Sequence, residues 1–162
     1  MYSPKTFEVD DIQTIKQFLN QYSFGQLISQ SDDGLVSTHL PLLVDAENRT
    51  AMCHMAKANP QWKTLSTQTV LISIEGAHGY ISPNWYESGG VPTWNYQALH
   101  ANATCEVIHD PEALSEMVLA MSDHYEARSQ KLTFNEPMLN AIVGVKFEIQ
   151  SLACKFKSRH LS

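Results

Sequence analysis

Between Phe24 and Met55 three strand-like stretches follow one another with almost nothing between them, and that spacing constrains the fold more than any other feature of the chain. Residues 24–30 (FGQLISQ), 35–44 (LVSTHLPLLV) and 50–55 (TAMCHM) are rich in apolar and β-branched residues, and the turn clusters SDDG and DAEN separate them. Gaps this short admit hairpins but not the crossover of a dozen or more residues that parallel strands need. Further strands are expected at TVLISIE, at HGYIS after a Gly76 turn, and along the stretch TWNYQALHANATCEVIHD. A last one lies in VGVKFEIQSL, where Val143, Val145, Phe147 and Ile149 alternate with polar neighbours. Two longer helices interrupt the series. Asp10 or Asp11 caps the first, with Ile12, Ile15, Phe18 and Leu19 on one face; Asp110-Pro111 opens the second, with Leu114, Met117, Met121 and His124 or Tyr125 inward. The expected class is mainly β with flanking helices, an antiparallel barrel rather than a doubly wound sheet.

At 162 residues the chain can bury one core without staples, and no repeat or linker divides it, so a single domain over residues 1–162 is expected. Cys53, Cys105 and Cys154 are odd in number and far apart, which argues against a disulfide framework and a structural zinc site and for a reducing, cytoplasmic setting. No apolar run is long enough to span a bilayer, and MYSPKTFEVDD has neither the basic start nor the apolar stretch of a secretion signal. The net charge is −6, and basic residues gather only in the short KFKSR tail, so direct DNA binding is not expected.

Three stretches could carry a site. In STHLPLL, Thr38, His39 and Leu40 precede Pro41, whose missing N–H puts the strand at an edge or breaks it. Free strand backbone there offers donors and acceptors at fixed spacing to a flat heterocycle; a simple bend with His39 satisfied by a neighbour is the competing explanation. In HMAKANPQWKTL, Asn59 is a good N-cap and Pro60 suits the first helical position, with His54 and Lys57 just upstream. Helix N–H groups beside an ammonium and an imidazole suit an anionic phosphate, although plain capping with Lys57 in solvent explains the same residues. Trp62 reads as a core plug. The third stretch, ISPNWYESGGVPTWNYQALH, sets Trp85, Tyr86, Trp94 and Tyr96 among the turn signals Ser82-Pro83-Asn84 and Ser88-Gly89-Gly90. Aromatics in such a stretch either fold over their own core or are kept for a ligand or a partner subunit. His39, His54, His78 and His100 show no ligand spacing, so no metal site is expected, and Ser37 and Ser82 lack an evident base. The glycine-rich and zinc-hydrolase signatures are missing.

Taken in order, MYSPKTF, THLPLL, HMAKANPQWK, GYISPNWY, VPTWNYQALH, IVGVKFEI and the terminal KFK resemble the PaiB family, whose members are described as FMN-binding negative transcriptional regulators. The resemblance implies a six-stranded antiparallel split β-barrel of the pyridoxamine-phosphate-oxidase type, a homodimer with FMN at the subunit interface. On that resemblance Thr38, His39 and Leu40 meet the ring edge of the flavin, while His54, Lys57 and Asn59 hold its phosphate. Trp94, Asn95 and Tyr96 complete the site from the other subunit, with Trp85 and Tyr86 near its mouth. Lys155 and Lys157 match the family's C-terminal pattern, whereas Ser158, Arg159 and His160 depart from it. Regulation would be indirect, since no helix-turn-helix order of elements occurs. Two other functions share the same fold: an FMN-dependent oxidoreductase acting on a small substrate, and a haem-handling barrel using one exposed histidine.

Overall fold

The computed structural model describes residues 1–86, 90–126 and 132–158. Seven strands form one sheet: β1 (Phe24–Ser31), β2 (Gly34–Pro41), β3 (Leu43–Asp45), β4 (Thr50–Ala56), β5 (Val70–Ile81), β6 (Thr93–Ile108) and β7 (Ile142–Lys157). Their order is β2-β1-β5-β6-β7-β4-β3, and every pairing is antiparallel. The sheet curls until β2 lies beside β4, yet no ladder joins these two among the described residues. The barrel is therefore split along that seam.

The sheet has one strand more than the six that the resemblance implies, the short β3, and residues 35–44 are two strands, not one. Leu42 turns its side chain into the core at 1 % exposure and gives its N–H to Ser23 O at 2.7 Å, which takes it out of the ladder after Pro41. Conversely, the two strands expected on either side of Gly76 are one continuous β5 with a bulge between Glu75 and His78. A Cβ at Gly76 would stand 2.6 Å from Phe18 Cε2, so the glycine lets the helix press onto the strand where it bends.

Inward-facing Leu27, Ile72, Leu99, Val145 and Cys53 are fully buried and fill the barrel. Helix α1 (Ile12–Gln21) starts at Asp11, whose carboxylate accepts from Thr14 N at 2.7 Å. It buries Ile15, Phe18 and Leu19, with Phe18 5.5 Å from the ring of Phe156. Helix α2 (Trp62–Leu65) is a single turn, and α3 (Pro111–Tyr125) is capped by Asp110 as expected. Glycine at 144 brings α3 against the outer face of β4 and β7, since a Cβ there would meet Met117 Sδ at 2.8 Å. A short α4 (Glu136–Asn140) precedes β7; Asn135 caps it through Met138 N at 3.0 Å. β7 runs five residues past the expected end, because β6 pairs with it as far as Lys157. On its other edge, beyond the reach of β4, the N-terminal segment takes over: Val9 N donates to Cys154 O at 3.0 Å and Glu8 bridges to Lys155.

Candidate functional site

The seam between β2 and the loop after β4 gathers the first group of predicted residues. Thr38 faces inward and donates its hydroxyl to Gln61 Oε1 at 2.5 Å, while it accepts from Asn59 Nδ2 at 2.9 Å. Asn59 also accepts from Gln61 N at 3.0 Å through Oδ1, an Asx turn rather than a helix cap, because the regular helix begins only at Trp62. The expected helix with Pro60 in its first turn is thus displaced: Pro60 and Gln61 form the turn before it. Lys57 is fixed by its main chain, with N–H donating to Ala141 O at 2.8 Å and O accepting from Trp62 Nε1 at 2.9 Å. Its ammonium is exposed and has no partner among the described residues. Trp62 is half-buried against the core and sets its edge on the ring of His109 at 5.3 Å.

The remaining residues of that group separate. Leu40 contributes only backbone, since its side chain is 4 % exposed in the core. His39 points to the opposite face of β2 from Thr38, exposed and stacked near Phe24 at 6.3 Å. His54 lies beneath α3 with Nδ1 3.4 Å from Met121 Sδ.

The outer face of the sheet carries a second group. Trp94, Tyr96, Ala98 and His100 alternate along one face of β6, and the register His39–Gln26–Ser73–His100 brings His39 onto the same face from β2. A cleft of ≈ 440 Å³ opens there, lined by Glu75, His78, Trp94, Tyr96, Gln97 and His100 among others. It sits where β5 and β6 extend as an arm. Trp94 is 54 % exposed and touches the rings of His78 at 6.4 Å and Tyr80 at 6.1 Å. Tyr96 is backed by Lys155, whose Nζ is 5.1 Å from its ring and donates to Tyr2 O at 3.1 Å. Asn95 lies on the other face of β6. Ser88 and Gly89 of the predicted turn, and Arg159 and His160 of the tail, lie outside the described residues.

Burial sets the electrostatics. It holds the imidazoles of His54 and His100 below the ordinary value of 6.5, and it raises the thiols of Cys105 and Cys154 to about 11 and that of Cys53 further, so none of the three is a thiolate nucleophile at neutral pH. The two histidines make stability pH-dependent. Their folded pKa values are depressed, so below about pH 6.5 the unfolded chain binds more protons than the folded one, and stability falls as pH falls. Urea midpoints should therefore decline between about pH 7 and pH 5, before the carboxylates of Asp11 and Asp45, held low by hydrogen bonds from Thr14 and Asn48, come into play. A flat or rising midpoint over that interval would contradict this assignment.

Sequence reasoning missed Gln61 and Glu75, and it weighed His78 and His100 only as metal ligands. The signal for Gln61 was its place after Asn59-Pro60; the others needed the β5–β6 register, which no local pattern shows.

Comparison with known proteins identifies the family and the fold. Residues 1–151 match the family described as "Putative FMN-binding domain". The chain is 30 % identical over 167 aligned residues to "Protease synthase and sporulation protein PAI 2" of Bacillus subtilis, covering 97 % of this chain and 81 % of that protein. Among solved structures, an FAD and heme binding protein of Mycobacterium smegmatis superposes with a TM-score of 0.78 at 14 % identity, over 96 % of this chain and 75 % of that one. A Listeria innocua protein described as "Putative Pyridoxamine 5'-phosphate oxidase" does so with a TM-score of 0.57 at 17 % identity, over 88 % and 95 %. These structures share the split-barrel fold. With a match that runs through most of its length, the chain belongs to the FMN-binding domain family, as a PaiB-type split barrel whose cofactor is FMN.

Proposed function

We propose that the protein acts as a homodimer that holds FMN between its subunits. Lys57, Asn59, Thr38 and the backbone of His39 and Leu40 come from one subunit, and Trp94 and Tyr96 from the other; His54, beneath α3, and Asn95, on the opposite face of β6, stand apart from these two groups. The separation of the two groups supports this: the cleft at Trp94 and Tyr96 is lined by none of the seam residues, and the indole of Trp94 is left half open by its own chain. Both halves suit the cofactor. The ammonium of Lys57, without a partner among the described residues, can take a phosphate, and a cleft of ≈ 440 Å³ falls within the roughly 300–1,000 Å³ of small-molecule sites. FMN, when bound, supplies the electron-transfer chemistry, and the residues named here bind and orient it. The relative from Bacillus subtilis carries a name linked to protease synthesis and sporulation. A regulatory role here runs through flavin or a protein partner in the cytoplasm rather than DNA, given a net charge of −6 without a basic face. Glu75, His78 and His100 in the cleft favour one second function, an FMN-dependent oxidoreductase, because they place proton-exchanging groups beside Trp94. Steady oxidation of a reduced nicotinamide by the FMN-loaded protein separates the two.

The test of the phosphate assignment compares FMN with riboflavin, which has the same rings and no phosphate. A charge-assisted hydrogen bond contributes about 1.5–3 kcal/mol, so Lys57→Met should lower FMN affinity about tenfold or more and leave riboflavin affinity unchanged. Fluorescence quenching with both flavins reads this directly. Equal losses for the two would assign Lys57 to the fold or the dimer instead.

A further inference from the structure

Gln61 is 4 % exposed, and every polar atom of its side chain is used across the barrel's seam. Nε2 donates to Leu27 O at 3.0 Å and Ser29 Oγ at 2.9 Å on β1, with Val36 O of β2 at 3.4 Å. Oε1 accepts the Thr38 hydroxyl at 2.5 Å, and the Gln61 N–H donates to Asn59 Oδ1 at 3.0 Å. Asn59 in turn reaches Thr38 at 2.9 Å. No ladder joins β2 to β4 among the described residues, so these side-chain bonds tie the loop carrying Lys57 to β2 where backbone pairing does not. The partners are all neutral, two main-chain carbonyls on β1 and β2, two hydroxyls and one amide, and an amide side chain is the group that can donate twice and accept at once in that setting. A buried side chain with all its bonds made fixes a geometry that the exposed side chain of a lysine four residues away cannot fix for itself.

We infer that Gln61 is a positioning residue for the anion end of the flavin site: it clasps the seam and thereby sets Lys57 against β2. The inference rests on the assignment of the phosphate to Lys57. It predicts that Gln61, which does not face the Lys57 ammonium, nonetheless controls the preference for FMN over riboflavin.

The decisive variant is Gln61→Glu, which keeps the shape, removes both amide donors and turns a carboxylate toward the carbonyls of Leu27 and Val36. At about pH 8 the FMN affinity should fall about tenfold while riboflavin affinity stays within about twofold. Burial raises the pKa of such a carboxyl, and its protonated form regains one donor, so the variant-to-parent ratio of FMN affinity should recover as the pH is lowered toward about 6. Gln61→Met removes the same bonds without charge and should lose the FMN preference with no pH recovery; it also serves if the glutamate variant does not fold. Equal losses for FMN and riboflavin, or an unchanged preference, in either variant would overturn the inference. Lys57→Met run in parallel keeps the two levels apart. If it abolishes the preference and the Gln61 variants do not, the phosphate assignment stands and the positioning role falls. If Lys57→Met leaves the preference intact, the phosphate assignment itself falls, and the positioning role with it.

Discussion

Replacing Trp94 with alanine is expected to weaken FMN binding by about thirtyfold or more while the protomer stays folded. Truncating a buried tryptophan at the centre of an interface typically costs about 2 kcal/mol or more. The indole is well placed for that role and poorly placed for a core one. It is 54 % exposed, and the ring contacts it makes are to His78 and Tyr80 on the same arm. Its removal opens no cavity in the barrel, whose centre is filled by Leu27, Ile72 and Leu99. The unfolding midpoint without flavin should therefore move little, while flavin titration and light scattering show weakened binding and a weakened dimer. Loss of the cooperative unfolding transition would instead make the arm part of the core. An unchanged flavin affinity in a well-folded variant would remove Trp94 from the site.

The largest effect on stability is expected at Gly25, which contacts no ligand in the proposed site. A Cβ there would stand 2.5 Å from Ser73 O and 2.8 Å from Ile74 Cγ1, and the first of these is main chain that cannot rotate away. Gly25→Ala must push β1 off β5 at the end of their ladder, where Gly25 pairs with Ile74. Overpacking of this kind costs about 1–3 kcal/mol where side chains can yield, and this site should reach about 3 kcal/mol or more, a fall in Tm of roughly 6–12 °C. Gly79 is the internal control. It lies in β5 as well, but a Cβ there meets nothing within 4 Å, so Gly79→Ala should leave Tm within a degree or two or raise it slightly. Similar Tm changes for the two substitutions would mean that strand entropy, not the close approach of β1 and β5, accounts for the glycine.

The parts of the fold that were legible in the sequence are those in which local chemistry and tertiary structure agree. Asp11 and Asp110 cap their helices through the N–H groups of Thr14 and Ala113, and the turn after β3 is held by Asp45 accepting from Glu47 N and Asn48 N. The polar residues around Asp32 and Asp33 close the β1–β2 hairpin. Where tertiary contacts override local signals, expectation and structure part. Gly76 reads as a turn but is a bulge under Phe18, and of the two outcomes Pro41 left open, an edge or a break, the core decides for the break by claiming Leu42. The same division holds at the site. Thr38 and Asn59 were named from local chemistry and do meet, 2.9 Å apart. The cleft around Glu75 and His100 stayed hidden because it depends on which residue of β5 stands opposite which residue of β6, and the bulge shifts that register midway.

Chain order and spatial order disagree at β7. The strand that emerges last in the described chain takes a central seat, with β6 along one edge and β4, then the N-terminal segment, along the other. Until it arrives, β4 has only the three-residue β3 for a neighbour, and residues near the start, such as Tyr2, lack a partner 153 positions downstream. Loops that long must close before those contacts reward the chain, which places the molecule among slow, high-contact-order folders. While it waits, the half-made sheet displays the open edge of β4 and the apolar inner faces of β5 and β6, the kind of surface on which nascent chains find one another. The seat kept for β7 is thus the surface that stays open longest as the chain folds.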